Sequence, residues 1–228
     1  MSVLLVCPTE REARALRGAA VAVGTGRECA DRLQTLIRER GASGVLILGV
    51  CGGLDPSLRP GDLILGRAVL ARAGEERRPS QLLLDAARRS LRRAGISFVS
   101  SRIYTAARPI GSRRAKVKAW NEFGAAGVDL ESYWLAEAAD RAGLPWLVVR
   151  AVVDPADWAL PPSLAEWASE ADSARALRAA ALRPWEWPAY VRLATAWARA
   201  ERNLRRAVPP LRDALTHAPE EVPLLATQ

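Results

Sequence analysis

The sequence predicts an α/β fold with a mainly parallel or mixed sheet, and three observations carry that prediction. Up to Asp154, short apolar runs alternate with segments of helical spacing. Trp146-Leu147-Val148-Val149-Arg150-Ala151-Val152-Val153 is a near-continuous apolar run of the kind found in central strands. From Pro161 onward no segment reads as a strand.

The elements follow in order. Ser2 to Cys7 is a short apolar run, and Thr9 is an N-cap candidate for helix formers up to Arg17. Ala20 to Gly24 is a second run, which passes through Gly24-Thr25-Gly26 into a helical segment from about Arg27 to Arg40, closed by Gly41. Val45 to Val50 reads as a buried strand, followed by Cys51-Gly52-Gly53 and a Pro-rich turn, and Asp62 to Leu70 as another strand. The chain then runs through Arg72-Ala73-Gly74-Glu75-Glu76 straight to a helix, Ser80 to Ala94, with Leu83, Leu84, Ala87 and Leu91 on one face. Ile96 to Thr105 is a strand and Ser112 to Phe123 a helix. Val128 starts a short strand that runs into the helix Glu131 to Ala142. Beyond the apolar strand, Pro188 to Val208 has near-helical periodicity with arginines between its apolar positions, whereas Pro209 to Gln228 is Pro-rich and unpatterned. No internal repeat is present.

Bulk properties narrow the function. A chain of 228 residues, half of them hydrophobic, fits one domain with a small appendage. Met1 to Val6 enter an apolar run without a basic leader, and no apolar stretch is long enough to span a bilayer, so a cytoplasmic location without membrane insertion is expected. Cys7, Cys29 and Cys51 lack CxxC spacing, and His217 is the single histidine; zinc has too few ligands, and reduced buried thiols are expected, with no metal. The net charge of +8 is almost wholly arginine, since Lys116 and Lys118 are the only lysines. These arginines lie opposite apolar residues on many helices, the pattern of solvated faces rather than of a nucleic-acid surface.

Two glycine clusters and several carboxylates could carry chemistry. Gly24-Thr25-Gly26 joins a strand to a helix, where backbone N–H groups could face an anion or a sugar hydroxyl. Gly49-Val50-Cys51-Gly52-Gly53-Leu54 ends a buried strand and suits close approach of a flat ligand to the backbone. Glu12 lies one helical turn past the first strand, Glu131 where a strand becomes a helix, and Asp154 at the end of the most apolar strand. Ligands of open α/β sheets collect at the carboxyl ends of strands. An acid so placed is partly desolvated, which raises its pKa and suits a proton donor. Asp129 reads first as a cap of the helix near Glu131.

These segments resemble the nucleoside phosphorylase and nucleosidase superfamily. Gly49-Val50-Cys51-Gly52-Gly53-Leu54, with Gly61-Asp62 after it, is similar to the family's Gly-Ser/Thr-Ala-Gly-Gly-Leu followed by Gly-Asp. Val128-Asp129-Leu130-Glu131-Ser132 resembles its Val-Asp/Glu-Met-Glu-Gly/Ala, and Val149-Arg150-Ala151-Val152-Val153-Asp154 its Val-Arg-Ala-Ile-Ser-Asp. Pro8-Thr9-Glu10-Arg11-Glu12 is similar to the acidic turn of methylthioadenosine/adenosylhomocysteine nucleosidases. The resemblance covers about residues 1 to 170, as an α/β domain; residues 171–228 are expected to be a helical extension packed on it. It implies a three-layer sandwich with a twisted mixed sheet flanked by helices.

It also implies cleavage of the N-ribosidic bond of a purine nucleoside or nucleoside-like metabolite. Asp154 would protonate the leaving base, Glu131 grip the ribose hydroxyls, Leu130 pack beneath the sugar, and Glu12 orient the attacking water. Thr105 to Ile110, with Pro109 at the usual place of a stacking aromatic, would border the base, and Asp129, Val50, Cys51, Gly52 and Gly53 would complete the substrate site. The departures are Val50 and Val153, where the family has hydroxyl residues, together with Pro109; they look more like the shorter futalosine hydrolases and hopanoid-associated phosphorylases than a methylthioadenosine enzyme. Hydrolysis without a cofactor is the expectation. The alternative is phosphorolysis, with inorganic phosphate as co-substrate and Gly24, Gly26, Arg27 and Arg108 as candidate phosphate ligands. A more distant alternative is a non-catalytic protein whose Trp- and Arg-rich C-terminal helix meets a polyanion or a membrane surface. A homo-oligomer, most simply a dimer, is expected.

Overall fold

The computed structural model describes residues 2–72, 75–161 and 183–217. The expected break near residue 170 and the tail after His217 lie outside the described residues. Among the described residues, eight strands are interleaved with helices: β1 (Val3–Cys7), α1 (Glu10–Ala15), β2 (Val21–Ala22), α2 (Cys29–Arg40), β3 (Gly44–Gly53), β4 (Leu63–Arg72), β5 (Glu75–Arg77), α3 (Gln81–Arg93), β6 (Val99–Thr105), α4 (Arg113–Phe123), β7 (Ala125–Asp129), α5 (Ser132–Arg141) and β8 (Trp146–Asp154). A 3₁₀ turn, Pro184–Glu186, then leads into a long helix, α6 (Trp187–Thr216). This is the mixed α/β architecture with helices on both sides of a sheet, closed by a C-terminal helix.

The sheet runs β2-β1-β3-β7-β6-β4-β5, with β8 pairing both β3 and β4. β8 is parallel to β3 and antiparallel to β4, so β3, β8, β4, β6 and β7 pair in a closed circuit. The apolar run of β8 is explained by this position: all nine residues are buried. β3 is long enough to serve three partners, β1, β8 and β7. After an irregularity at Cys51/Gly52, Gly52 stays opposite Asp154 of β8, while Gly52 and Gly53 also pair with Val128 and Gly127 of β7. A Cβ on Gly52 would stand 3.2 Å from Val128 Cγ1, and one on Gly53 3.1 Å from Pro155 Cα, so glycine lets the strands cross there.

Two core layers face each other through the sheet. On one side α2 and α5 pack Leu33, Leu36, Leu135 and Ala139 against β1, β3 and β8. On the other, α3 and α6 bring Leu83, Leu91, Leu204 and Leu211 against the opposite faces of the same strands.

Two expectations need correction. The stretch after Arg72 does not pass straight to a helix: Glu75–Arg77 pairs antiparallel with β4 as an edge strand, too short and too charged to show an alternating pattern. The helix expected to stop near Val208 continues to Thr216 through Pro209 and Pro210. Those prolines remove two backbone donors. Burial of Leu211, Ala214 and Leu215 on the sheet outweighs that loss, which local propensity alone does not reveal.

Candidate active site

The carboxyl ends of β1, β3, β7 and β8 converge on a cavity of about 500 Å³, ample for a nucleoside. Glu12, Val50, Cys51, Gly52, Pro109, Ile110, Asp129, Leu130, Glu131 and Asp154 all line it. Gly53 is outside the lining, one residue behind Gly52. Gly24, Gly26, Arg27 and Arg108 are also outside it.

Glu12 is placed by its helix start. Thr9 caps α1, its hydroxyl accepting the Glu12 amide, while the Thr9 amide and hydroxyl donate back to Glu12 Oε2 at 2.9 and 2.7 Å. The second oxygen, Oε1, accepts the Val50 amide at 2.9 Å, so the carboxylate is held against the end of β3. It is buried but retains lone pairs toward the cavity.

Glu131 sits where β7 gives way to α5. Its Oε1 accepts the Gly26 amide at 3.2 Å and its Oε2 the Leu130 amide at 3.3 Å. Burial above all, then the neighbouring Asp129 charge, pushes its pKa up to about 7; Arg150 and the Gly26 amide oppose that rise.

Asp129 is a cap as well as a wall. It accepts the Ser132 amide at 3.2 Å, the Glu131 amide at 3.3 Å and the Thr105 hydroxyl at 2.9 Å, along with the Ser132 hydroxyl. It also pairs with Arg150 Nε at 2.7 Å.

Asp154 ends β8, buried, opposite Gly52. Burial raises its pKa, while Lys116 opposes the rise. The Lys116 ammonium lies 2.7 Å from Asp154 Oδ2.

Sequence reasoning did not assign four residues that the fold brings here. Arg150 is wholly buried beneath the carboxylates, donating to Ser132 Oγ at 3.0 Å and to the Leu48 carbonyl at 3.2 Å. Gly49 makes room for it: a Cβ there would stand 2.0 Å from Arg150 Nη1. The signal was available, since an arginine in an otherwise apolar strand must be paired. Lys116 offered a weaker signal, a single charge on the face of α4 that carries Ala119. Leu160 and Trp197 gave none, because their approach to the cavity depends on how the chain after β8 returns across the sheet. Arg11 caps the Trp197 ring at 3.9 Å.

The candidate phosphate loop is engaged with protein. Gly24 donates to the Pro8 carbonyl at 2.9 Å, and Gly26 to Glu131. Arg27 lies over the Trp134 ring at 4.8 Å, and Arg108 is exposed.

The family model of the phosphorylase superfamily matches residues 15–183, about three quarters of the chain. The chain belongs to the phosphorylase superfamily. It is an enzyme of that family. No curated protein matches the sequence. Among solved structures, the futalosine hydrolase of Helicobacter pylori strain 26695 is similar at TM-score 0.72 and 15% identity, covering 94% of this chain and 98% of that one. The 5′-methylthioadenosine/S-adenosylhomocysteine nucleosidase from Neisseria meningitidis, in complex with methylthio-immucillin-A, gives TM-score 0.72 at 19% identity, with 94% and 99% covered. The corresponding nucleosidase from Colwellia psychrerythraea 34H, in complex with adenine, gives 0.70 at 18%, with 94% and 96% covered. At such identities these likenesses show a shared fold.

Proposed function

We propose that this protein hydrolyses the N-ribosidic bond of a purine nucleoside or nucleoside-like metabolite. One observation supports hydrolysis over phosphorolysis. The two amides best suited to an anion, Gly26 and Val50, are already bonded to the carboxylates of Glu131 and Glu12. A phosphate dianion needs free donors and cations beneath the sugar. The Glu12 carboxylate in its place repels it, whereas a carboxylate can orient and deprotonate water.

The roles follow. Asp154 gives its proton to a ring nitrogen of the base as the C–N bond breaks and its electron pair moves to the base. Glu131 accepts hydrogen bonds from the ribose hydroxyls, and Leu130 packs under the sugar. Water adds to the anomeric carbon and loses a proton to Glu12, whose negative charge also stabilises the cationic sugar. Pro109 and Ile110 flank the base. The reaction so written needs no cofactor, and the same site in a homodimer is the simplest assembly.

Turnover is expected to continue in phosphate-free buffer and to release free base with free sugar. Base that appears only on addition of phosphate, together with a sugar 1-phosphate, overturns hydrolysis in favour of phosphorolysis.

A further inference from the structure

Lys116 is one of two lysines in the chain, and its side chain has no exposure at all. Its ammonium donates to Asp154 Oδ2 at 2.7 Å and to three carbonyls: Asp154 at 2.9 Å, Pro155 at 2.9 Å and Trp158 at 3.1 Å. Three protons facing four oxygens leave the group saturated, and only the charged form supplies three donors. All four acceptors belong to the segment that leaves β8, so one cation from α4 fixes both the carboxylate and the chain that carries it. Such a charge is tolerated without water because hydrogen bonds and an opposite charge replace its hydration.

The other groups around Asp154 do not do this work. Cys51, from β3, is a buried thiol whose pKa is raised by that burial. Asp129 and Arg150, from β7 and β8, are paired with each other at 2.7 Å. Trp197, from α6, carries no charge, and Asp157 is exposed.

We propose that Lys116 is the positioning residue of this centre: it grips Oδ2 of Asp154, leaves Oδ1 as the edge for the substrate base, and stabilises the carboxylate formed when Asp154 gives up its proton. The inference rests on Asp154 being the proton donor of the proposed reaction. In that step the O–H bond of Asp154 breaks and an N–H bond forms on the base, which also takes the electron pair of the C–N bond. Lys116 keeps its three protons throughout. Burial alone would make Asp154 a reluctant acid; the adjacent ammonium makes it a stronger one.

Two measurements test this. In wild-type protein carrying ¹⁵N-lysine there are two side-chain nitrogen signals, and Lys118→Arg identifies that of Lys116. The Lys116 signal is expected to move with pH at the midpoint of the Asp154 carboxyl, followed by ¹³C-aspartate labelling, and to stop moving in Asp154→Asn. In Lys116→Met of matched circular dichroism, the Asp154 midpoint is expected to rise by about one pH unit or more. The alkaline limb of kcat on nucleosides should rise with it, and the plateau should fall about tenfold or more. Hydrolysis of 4-nitrophenyl riboside, whose leaving group needs no proton, should be nearly unchanged. A Lys116 signal indifferent to Asp154→Asn, or an unmoved midpoint in Lys116→Met, overturns the proposal. If Lys116→Met does not fold, the lysine-nitrogen titration in wild type still decides. If wild type releases no base from any nucleoside, the hydrolase reading falls, and the two titrations still report whether Lys116 sets the acidity of Asp154.

Discussion

Asp154 and Glu131 are both buried carboxyls with raised pKa, yet their surroundings suit them to different work. Asp154 has one oxygen on an ammonium, so it can give a proton and keep the resulting charge. An Asp154→Asn amide has no such proton, and turnover should fall by about 10²–10⁴-fold with the fold intact; equal rates at matched circular dichroism would remove Asp154 from the chemistry. Glu131 has backbone donors and a second carboxylate beside it. Its ordinary value lies near 4.5 and its folded value near 7. The fold therefore favours the neutral acid: below about 4.5 both folded and unfolded chains carry it protonated, and its contribution to stability is fully present. As pH rises through about 7 that contribution is lost. Urea titrations of wild type and Glu131→Gln should show the difference shifting in favour of the glutamine variant between these two pH values. A difference that is flat with pH would show that Glu131 titrates normally.

At the level of elements, α6 holds the molecule together and reaches the site. Its buried face, Ala196, Ala200, Leu204, Ala207 and Leu211, lies against β8, β3 and α3, while most of its arginines are exposed. This is the geometry of a core-packing helix with solvated charges. Leu204 is 2% exposed, so Leu204→Ala should cost about 2–5 kcal/mol, read as a fall in the urea midpoint. An unshifted midpoint would mean that α6 is not part of the cooperative core. Most strands and helices were legible from periodicity, because each buries one face against a neighbour. β5 and the last turns of α6 were not, since one is held by pairing and by ion pairs to α5 and β6 and the other by burial that overrides two prolines.

For the whole molecule, the three thiols report on the integrity of the core. Cys7, Cys29 and Cys51 are free and buried, and burial pushes Cys7 and Cys29 up to about 12. A thiol-reactive reagent at neutral pH should modify none of them in the native protein and all of them in denaturant. Rapid labelling of native protein would contradict the burial. The proposed dimer has a separate check: light scattering should give about twice the 24.7 kDa chain mass at micromolar concentration, and a particle of the chain mass would contradict it.

The sequence by itself determined the α/β class, the alternation of elements and the three strand-end carboxylates. Apolar runs, glycine clusters and acids at strand ends are local patterns, set by what each strand must bury and where it must stop. Only the tertiary structure decided which charges meet. Arg150 lies under the carboxylates because Gly49 on the adjacent strand has no side chain. Lys116 reaches Asp154 from 38 residues away because α4 crosses the exit of β8. Gly26 answers Glu131 across 105 residues because the loop that follows β2 meets the end of β7. Ionic pairing inside a protein depends on distance and on the exclusion of water, and neither is written in residue order.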